Sequence, residues 1–216
     1  MLEIPEPNPK IASAVAVAKE LNDMHGLAVA LLIAAILAQV EGNPAGVDRL
    51  ASNLIELSTR QNFAQWRAIG VILRGWARSA FGNPAEGIPW IEQGIRDLRA
   101  TGTVLGVPYF LTLKAEALHL ANRTSEALEA IDEAEALAER IEQRNVLSRL
   151  HRLRSVFLAA LGTEEAKIDA SFCEAIRIAR EQKSIFLQKS AEATYAEYRR
   201  QKASASRGRG FRLPLG

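Results

Sequence analysis

The chain has 216 residues, of which 48% are hydrophobic and 24% are charged, and its formal net charge at pH 7 is +2. This is an ordinary soluble composition, long enough for one elongated domain or two compact ones. The only cysteine, Cys173, excludes an intrachain disulfide and favours a reducing, cytoplasmic setting.

The N-terminal part of the chain predicts neither export nor a membrane span. Residues 1–7 are acidic and rich in proline, whereas a secretory signal would be basic and then apolar. Residues 27–40 form an apolar run broken only by Gln39, but a bilayer needs about twenty such residues. We therefore expect a helix that is buried on most sides.

A short string recurs at intervals of forty residues. Gly-Asn-Pro-Ala occurs at residues 42–45 and 82–85, and related residues return at 122–124 and 162–164. Each copy begins with a residue suited to ending a helix in a left-handed conformation. An N-cap residue and, in two copies, a proline at the first helical position follow. This spacing indicates a repeat of helix pairs.

The apolar residues between these strings recur three and four positions apart, as in Leu128, Ile131 and Ala134, which is the helical period. We predict ten helices and an all-α, right-handed α-solenoid of about five antiparallel pairs. The predicted domain covers 1–202, followed by a basic, disordered tail over 203–216. The units are near 2–41, 42–81, 82–121, 122–161 and 162–202, and the helices near 10–22, 26–41, 44–61, 63–81, 84–101, 107–121, 124–143, 146–161, 164–182 and 185–202.

Three departures from regularity are visible. Two glycines and a proline over 100–108 predict a longer connection. Pro89 predicts a kink or a late helix start. Phe172 lies one residue later than the repeat requires. A column of small residues in the second helix of each pair predicts close helix packing: Ala35, Gly75, Ala115 and Ser155.

Residues 66–73 resemble the first helix of a tetratricopeptide repeat, and the Gly-Asn-Pro-Ala-Glu-Gly stretch that follows resembles its turn. The forty-residue period is similar to the long-helix version found in MalT-like regulators and in C-terminal regions of bacterial adenylate cyclase/ATPase fusion proteins. The resemblance implies a regulatory, protein-binding part of a signalling protein, a scaffold without catalytic activity. No Walker-type glycine-rich loop occurs, so no nucleotide cradle of that type and no cofactor are expected.

The residues that could carry chemistry are scattered. His25, His119 and His151 have no second ligand at metal-binding spacing, so we expect surface or partly packed imidazoles and no metal. Cys173 is expected to be buried. Trp66 is expected in the core, and Trp76 in the core or on a groove floor. These observations predict that the chain is not an enzyme.

Adding forty to Arg74 gives Lys114, and adding forty again gives Arg154. In a regular stack these cations would form a column on one side, and the resemblance to tetratricopeptide repeats implies that this side is the concave groove. We hypothesise that the column, joined by Arg67 and His151, binds an acidic peptide or another anion. The alternative is a solvated column whose charges are balanced by Glu116 or neighbouring acids.

The sequence thus favours a protein or acidic peptide as partner, with a sensor that binds a small anionic ligand in the groove as the alternative function. Nucleic acid, bound through the basic stretch 207–210, is less favoured, and no membrane partner is expected. Self-association through terminal helices is a further interaction that an open-ended stack allows.

Overall fold

A computed structural model describes residues 9–205, and in this part of the chain every regular element is helical. The ten predicted helices are confirmed, and each end lies within three residues of its predicted position. A 3-10 turn over Arg144–Val146 precedes the eighth helix. The helices are α1 (Pro9–Glu20), α2 (Met24–Val40), α3 (Pro44–Arg60), α4 (Ala64–Ala80), α5 (Pro84–Ala100), α6 (Val107–Leu120), α7 (Thr124–Arg140), α8 (Leu147–Ala160), α9 (Glu165–Glu181) and α10 (Ile185–Ala205).

The helices form two compact units, which divide between Val104 and Leu105. In the first unit each of α1 to α4 packs against the next helix, and α2 also contacts α4. In the second unit consecutive helices from α6 to α10 pack in the same way, and α8 contacts both α6 and α10. Because the connections are short, consecutive helices are antiparallel. Each unit is therefore two layers of alternating helices around its own core.

The turns between helices confirm the repeat. Gly42, Gly82, Asn122 and Gly162 all have positive φ, forty residues apart. A second series of positive-φ residues lies midway between them, at Asn22, Asn62, Gly102, Glu142 and Lys183. The last member is one residue late, and α9 likewise begins at Glu165. This confirms the predicted one-residue slip in the final pair.

The helix starts follow the predicted chemistry in part. The side chain of Asn43 accepts a hydrogen bond from the backbone N–H of Gly46 at 2.9 Å, and Pro44 follows it in the first turn of α3. Asn83 instead donates its side-chain N–H to Glu86 at 2.8 Å. The expected late start at Pro89 is wrong, because α5 begins at Pro84 and continues through Pro89.

The predicted column of small residues marks close packing. A Cβ atom added to Gly75 would lie 2.7 Å from the carbonyl oxygen of Gly87 and 3.0 Å from the backbone nitrogen of Ile91. A Cβ at Gly94 would lie 2.8 Å from the carbonyl oxygen of Ala68. The absence of side chains at these glycines therefore brings the backbones of α4 and α5 together. The other members of the column are fully buried: Ala35, Ala115 and Ser155.

Two burial predictions are wrong. Cys173 is exposed, because it lies beside the buried stripe of α9 and its neighbour Phe172 occupies the core position instead. Trp66 is only half-buried, and its indole N–H points to His25 at 3.4 Å. Trp76 is in the core, as expected.

Two further predictions concern the ends of the chain. Helix α10 continues to Ala205, into the first residues of the expected tail over 203–216, which stays a prediction. Residues 206–216 and the acidic N-terminal residues 1–8 lie outside the described part of the chain. Over the described residues, no helix combines the length and apolarity that crossing a bilayer requires.

Candidate functional site

The cations predicted to form one column lie in different units. In the first unit, Arg67 is exposed on α4. Arg74, two turns further on along the same helix, donates from Nε to Asp48 of α3 at 3.2 Å, and its guanidinium lies 5.4 Å from the centroid of the Trp90 ring. Its positive charge is therefore already shared with a carboxylate and an aromatic face.

The remaining predicted cations belong to the second unit, where each faces acids of α7. Lys114 contributes, after Arg123, to holding the pKa of the Glu126 carboxyl below its usual value. Arg154 donates to both Asp132 and Glu135, the latter at 2.6 Å. The structure thus places Lys114 and Arg154 beside acidic groups.

His151 joins Arg154 at the same carboxylate, because its Nε2 lies 3.3 Å from an oxygen of Glu135. Burial lowers the pKa of His151 below its usual 6.5, and the nearby Arg154 and Arg177 lower it further, against the opposing effect of Glu135 and Glu174. The imidazole is therefore mainly neutral at pH 7.

His151 also lines a cavity of about 660 Å³ within the second unit. Its walls come from α7, the 3-10 turn, α8 and α9. The charged groups in the lining are mostly acidic, with five carboxylates against two guanidinium groups. The lining residues are Glu135, Ala138, Glu139, Glu142, Arg144, Leu147, His151, Glu174, Arg177, Ile178, Glu181 and Gln182.

The charges in this cavity are only partly paired. Arg177 donates to Glu174 and to Glu181, so these three groups neutralise one another in part. The carboxylates of Glu139 and Glu142 are exposed and make no hydrogen bond or ion pair with a described residue. Even with the guanidinium of Arg144 counted against them, the lining therefore keeps an excess of negative charge. We call this cavity the α7–α9 cavity.

On the other side of α8, a group of polar residues is buried between α6, α8 and α10. Glu116 of α6 has a side chain that is 1% exposed, and it accepts a hydrogen bond from Nη2 of Arg149 at 2.6 Å. Nε of Arg149 donates to the hydroxyl of Thr112 at 3.1 Å. The guanidinium also lies 5.3 Å from the centroid of the Tyr109 ring. Arg149 is thus held by three groups of α6.

A second arginine belongs to this group. Arg152 is 4% exposed and points toward Thr194 of α10, with Nη1 at 3.4 Å from the hydroxyl oxygen. Burial, together with the neighbouring charge of Arg149, lowers the pKa of Arg152 to about 10, against the opposing effect of Glu116. Burial also raises the pKa of the Tyr109 hydroxyl to about 12. We call these six residues the buried charge cluster.

Sequence reasoning did not single out Arg149 and Arg152. Their positions in α4, eighty residues earlier, are occupied by Ile69 and Ile72, which are buried at 4% and 0% exposure. The forty-residue columns therefore contained a signal, because α6 and α8 have polar residues, Tyr109 and Thr112 in α6, where α4 buries isoleucine. The charge partner of Arg149 could not be found in this way, because Glu116 lies thirty-three residues away on another helix.

A further surface feature lies in the first unit. Helices α1 and α2 and the turn between them expose four large apolar side chains: Val17, Leu21, Val29 and Ile33. Such residues suit the predicted self-association through a terminal helix pair, which stays a prediction. Over the described residues, no group of three or more His, Cys, Asp or Glu side chains could hold a metal ion.

Comparison with known proteins identifies the fold. The chain matches no protein-family model. It is 23% identical over 187 residues to an uncharacterized protein of Rhizobium meliloti, a match that covers 87% of this chain and 18% of that protein. The chain therefore spans less than a fifth of the length of this relative.

Among solved structures, the chain is similar to Bacillus thuringiensis PlcR, determined in complex with the peptide PapR7 and DNA. The TM-score is 0.68 at 19% identity, and the match covers 85% of this chain and 66% of that chain. The protein thus has a tetratricopeptide-like helical repeat fold. Neither comparison carries the narrower resemblance to MalT-like and adenylate cyclase-associated regions, which stays a prediction.

Proposed function

We propose that this chain is a non-catalytic interaction module of a bacterial signalling protein, and that it binds a segment of a partner protein. Helical repeats present rigid surfaces for such contacts, because each pair adds a constant step to the stack. The likeness to PlcR, whose structure contains a bound peptide, supports this proposal.

The α7–α9 cavity is the observation that carries the proposal. Its volume of about 660 Å³ lies in the range of small-ligand and side-chain pockets. Helices supply most of its wall, including Leu147 and Ile178, which offer apolar surface beneath the charged rim. A cavity of this size accommodates one or two side chains of an extended peptide.

The charge of the lining favours a basic segment in this cavity. Glu139 and Glu142 are exposed carboxylates of the lining, and with Arg144 they leave an excess of negative charge, whereas Arg177 is held between two glutamates. His151, being mainly neutral at pH 7, adds little positive charge. Complementary charge speeds association and selects among partners. We therefore propose a lysine- or arginine-bearing segment at this cavity, in place of the acidic one predicted for His151 and Arg154.

A displayed library of random peptides, selected against the full chain, tests the proposal. We expect the selected peptides to be enriched in lysine and arginine. Charge reversal at the rim by Glu139→Lys should weaken the affinity of a selected peptide by about tenfold, or about 1.4 kcal/mol. Fluorescence anisotropy with the labelled peptide measures this change.

The matched control is Glu129→Lys, which reverses an exposed charge on the same helix outside the cavity. This variant should bind as the wild type does. Equal weakening by both variants would show only a general charge effect and would remove the cavity from the proposal. Selection of acidic peptides would instead favour the hypothesised groove of Arg67, Arg74, Lys114, His151 and Arg154.

DNA binding is an alternative function that can be distinguished from peptide binding. The basic residues that suggested it lie mainly after Ala205, outside the described residues. Binding of duplex DNA that falls steeply with salt and disappears on truncation after Ala205 would place nucleic acid binding in that segment and not in the α7–α9 cavity.

A further inference from the structure

The buried charge cluster carries an excess of positive charge. Two guanidinium groups, Arg149 and Arg152, face a single carboxylate, Glu116. Both charges act on Arg152, since Arg149 lowers its pKa and Glu116 raises it. Counted over its six members, the cluster contains two positively charged side chains and one negatively charged side chain.

Such an excess is unfavourable inside a protein. Removing a charge from water costs free energy that only close, well-paired groups return. The lowered pKa of Arg152, about 10, reflects this cost, since burial is its largest cause. An anion placed next to the two arginines would offset part of that cost.

A helix of the same repeat can be packed without charges at these positions. The positions in α4 that correspond to Arg149 and Arg152 are buried isoleucines, Ile69 and Ile72. Apolar residues at buried ionic positions are often neutral or stabilising in comparison with the ion pairs. A role other than holding the helices together therefore explains the arginines better.

The cluster is open to solvent on the side of Arg149. The side chain of Arg149 is 11% exposed and Tyr109 is half-buried, whereas Glu116 and Arg152 lie beneath them. Arg149 uses Nε for Thr112 and Nη2 for Glu116, and its Nη1 donates to no described residue. One edge of the guanidinium thus remains for a ligand that approaches from outside.

We propose that Arg149, with Arg152 behind it, binds a carboxylate group of a ligand at this open edge. Guanidinium groups form short, charge-assisted hydrogen bonds with carboxylates, and Arg149 presents its Nη1 N–H groups in the required plane. The carboxylate belongs either to a small organic acid or to a peptide, as its C-terminus or an acidic side chain. This site is separate from the α7–α9 cavity, because His151 and Arg154 turn from α8 toward α7.

The test uses three probes at constant ionic strength, with sodium chloride as the reference salt. Succinate represents a small acid, and a short alanine peptide is used with a free and with an amidated C-terminus. We expect succinate or the free peptide to raise the thermal unfolding midpoint of the full chain, because a ligand of the folded state stabilises it by mass action. The amidated peptide should have no such effect.

The decisive variant is Arg149→Met, which leaves the buried Glu116 and Arg152 as a balanced pair and so should fold. Its affinity for the carboxylate probe, measured by calorimetric titration, should fall at least about tenfold. The matched control is Arg154→Met on the same helix, whose ion pairs with Asp132 and Glu135 lie outside the cluster. This control should keep the wild-type affinity.

The results distinguish a small organic acid from a peptide as the source of the bound carboxylate. A shift with succinate alone identifies a small acid, and a shift with the free but not the amidated peptide identifies a peptide carboxylate. Midpoints that follow only ionic strength, or equal affinities of Arg149→Met and the wild type, would overturn the proposal. Should circular dichroism show that Arg149→Met is unfolded, Arg152→Met, which keeps the Arg149–Glu116 pair, provides the same comparison.

Discussion

The two units differ in the residues that lie between their packed helices. In the first, Gly75, Gly87 and Gly94 bring the backbones of α4 and α5 into contact. The positions forty residues later in the second unit are all alanines: Ala115, Ala127 and Ala134. The same forty-residue spacing thus tolerates both glycine-mediated contact and ordinary side-chain packing.

The difference extends to the layer of even-numbered helices. In α4 the buried residues at two equivalent positions are Ile69 and Ile72, whereas α8 places Arg149 and Arg152 there. At these two positions the first unit buries apolar side chains, whereas the second unit buries charged ones. The second unit contains both candidate sites, the α7–α9 cavity and the buried charge cluster. Three experiments test this contrast between the units.

The largest expected effect is that of Glu116→Gln. Removing the only carboxylate of the buried charge cluster leaves Arg149 and Arg152 without compensation, and breaking such a buried pair costs about 3–5 kcal/mol of unfolding free energy. Urea denaturation followed by circular dichroism measures the loss. The matched change in the first unit, Asp48→Asn, removes the half-exposed partner of Arg74 and should cost under about 1 kcal/mol. Similar losses for both variants would contradict the contrast between the units.

A smaller effect is expected from Gly75→Ala. The new Cβ would lie 2.7 Å from the carbonyl oxygen of Gly87, so α4 and α5 must move apart, at a cost of about 1–3 kcal/mol. The reverse change in the second unit, Ala115→Gly, should cost about 1 kcal/mol through helix propensity alone. Thermal unfolding compares the two. A Gly75→Ala variant as stable as the wild type would show that the close contact is dispensable.

The smallest effect concerns pH and His119 of the second unit. Burial lowers the pKa of His119 below its usual 6.5, so the folded state keeps the imidazole neutral. Below about pH 6.5 the unfolded chain binds a proton that the folded chain does not, and stability therefore falls as the pH decreases. Unfolding free energies of the wild type and His119→Gln, measured from pH 7.5 to 5, should show a weaker dependence on pH in the variant. Parallel curves would remove His119 as a source of acid sensitivity.

Much of the fold could be predicted from the sequence, because local chemistry determines it. Glycine and asparagine at forty-residue intervals marked the left-handed ends of helices, and the structure shows positive φ at Gly42, Gly82, Asn122 and Gly162. The one-residue slip was visible as well. The presence of a proline was not enough to locate the start of a helix, however, since α5 continues through Pro89.

The candidate sites were harder to predict, because they depend on contacts between distant helices. The column of Arg74, Lys114 and Arg154 was found from spacing, but the carboxylates that face these cations lie on other helices. Arg149 was missed for a similar reason, because its burial depends on an ion pair with Glu116, which lies on another helix. Cys173 shows the limit of periodicity itself: one position along a helix turns a side chain by about 100°, from core to solvent.

The midway series of left-handed turns has a consequence for how such a gene can change. Duplicating or losing forty codons between earlier pairs preserves the angular phase of every later helix. In the last pair the series is one residue late, at Lys183, yet α9 has the same seventeen residues as α3, α5 and α7. The turn before α9 has therefore absorbed one added codon without changing the length of the helix, so the turns are the places where such an array tolerates a change in length.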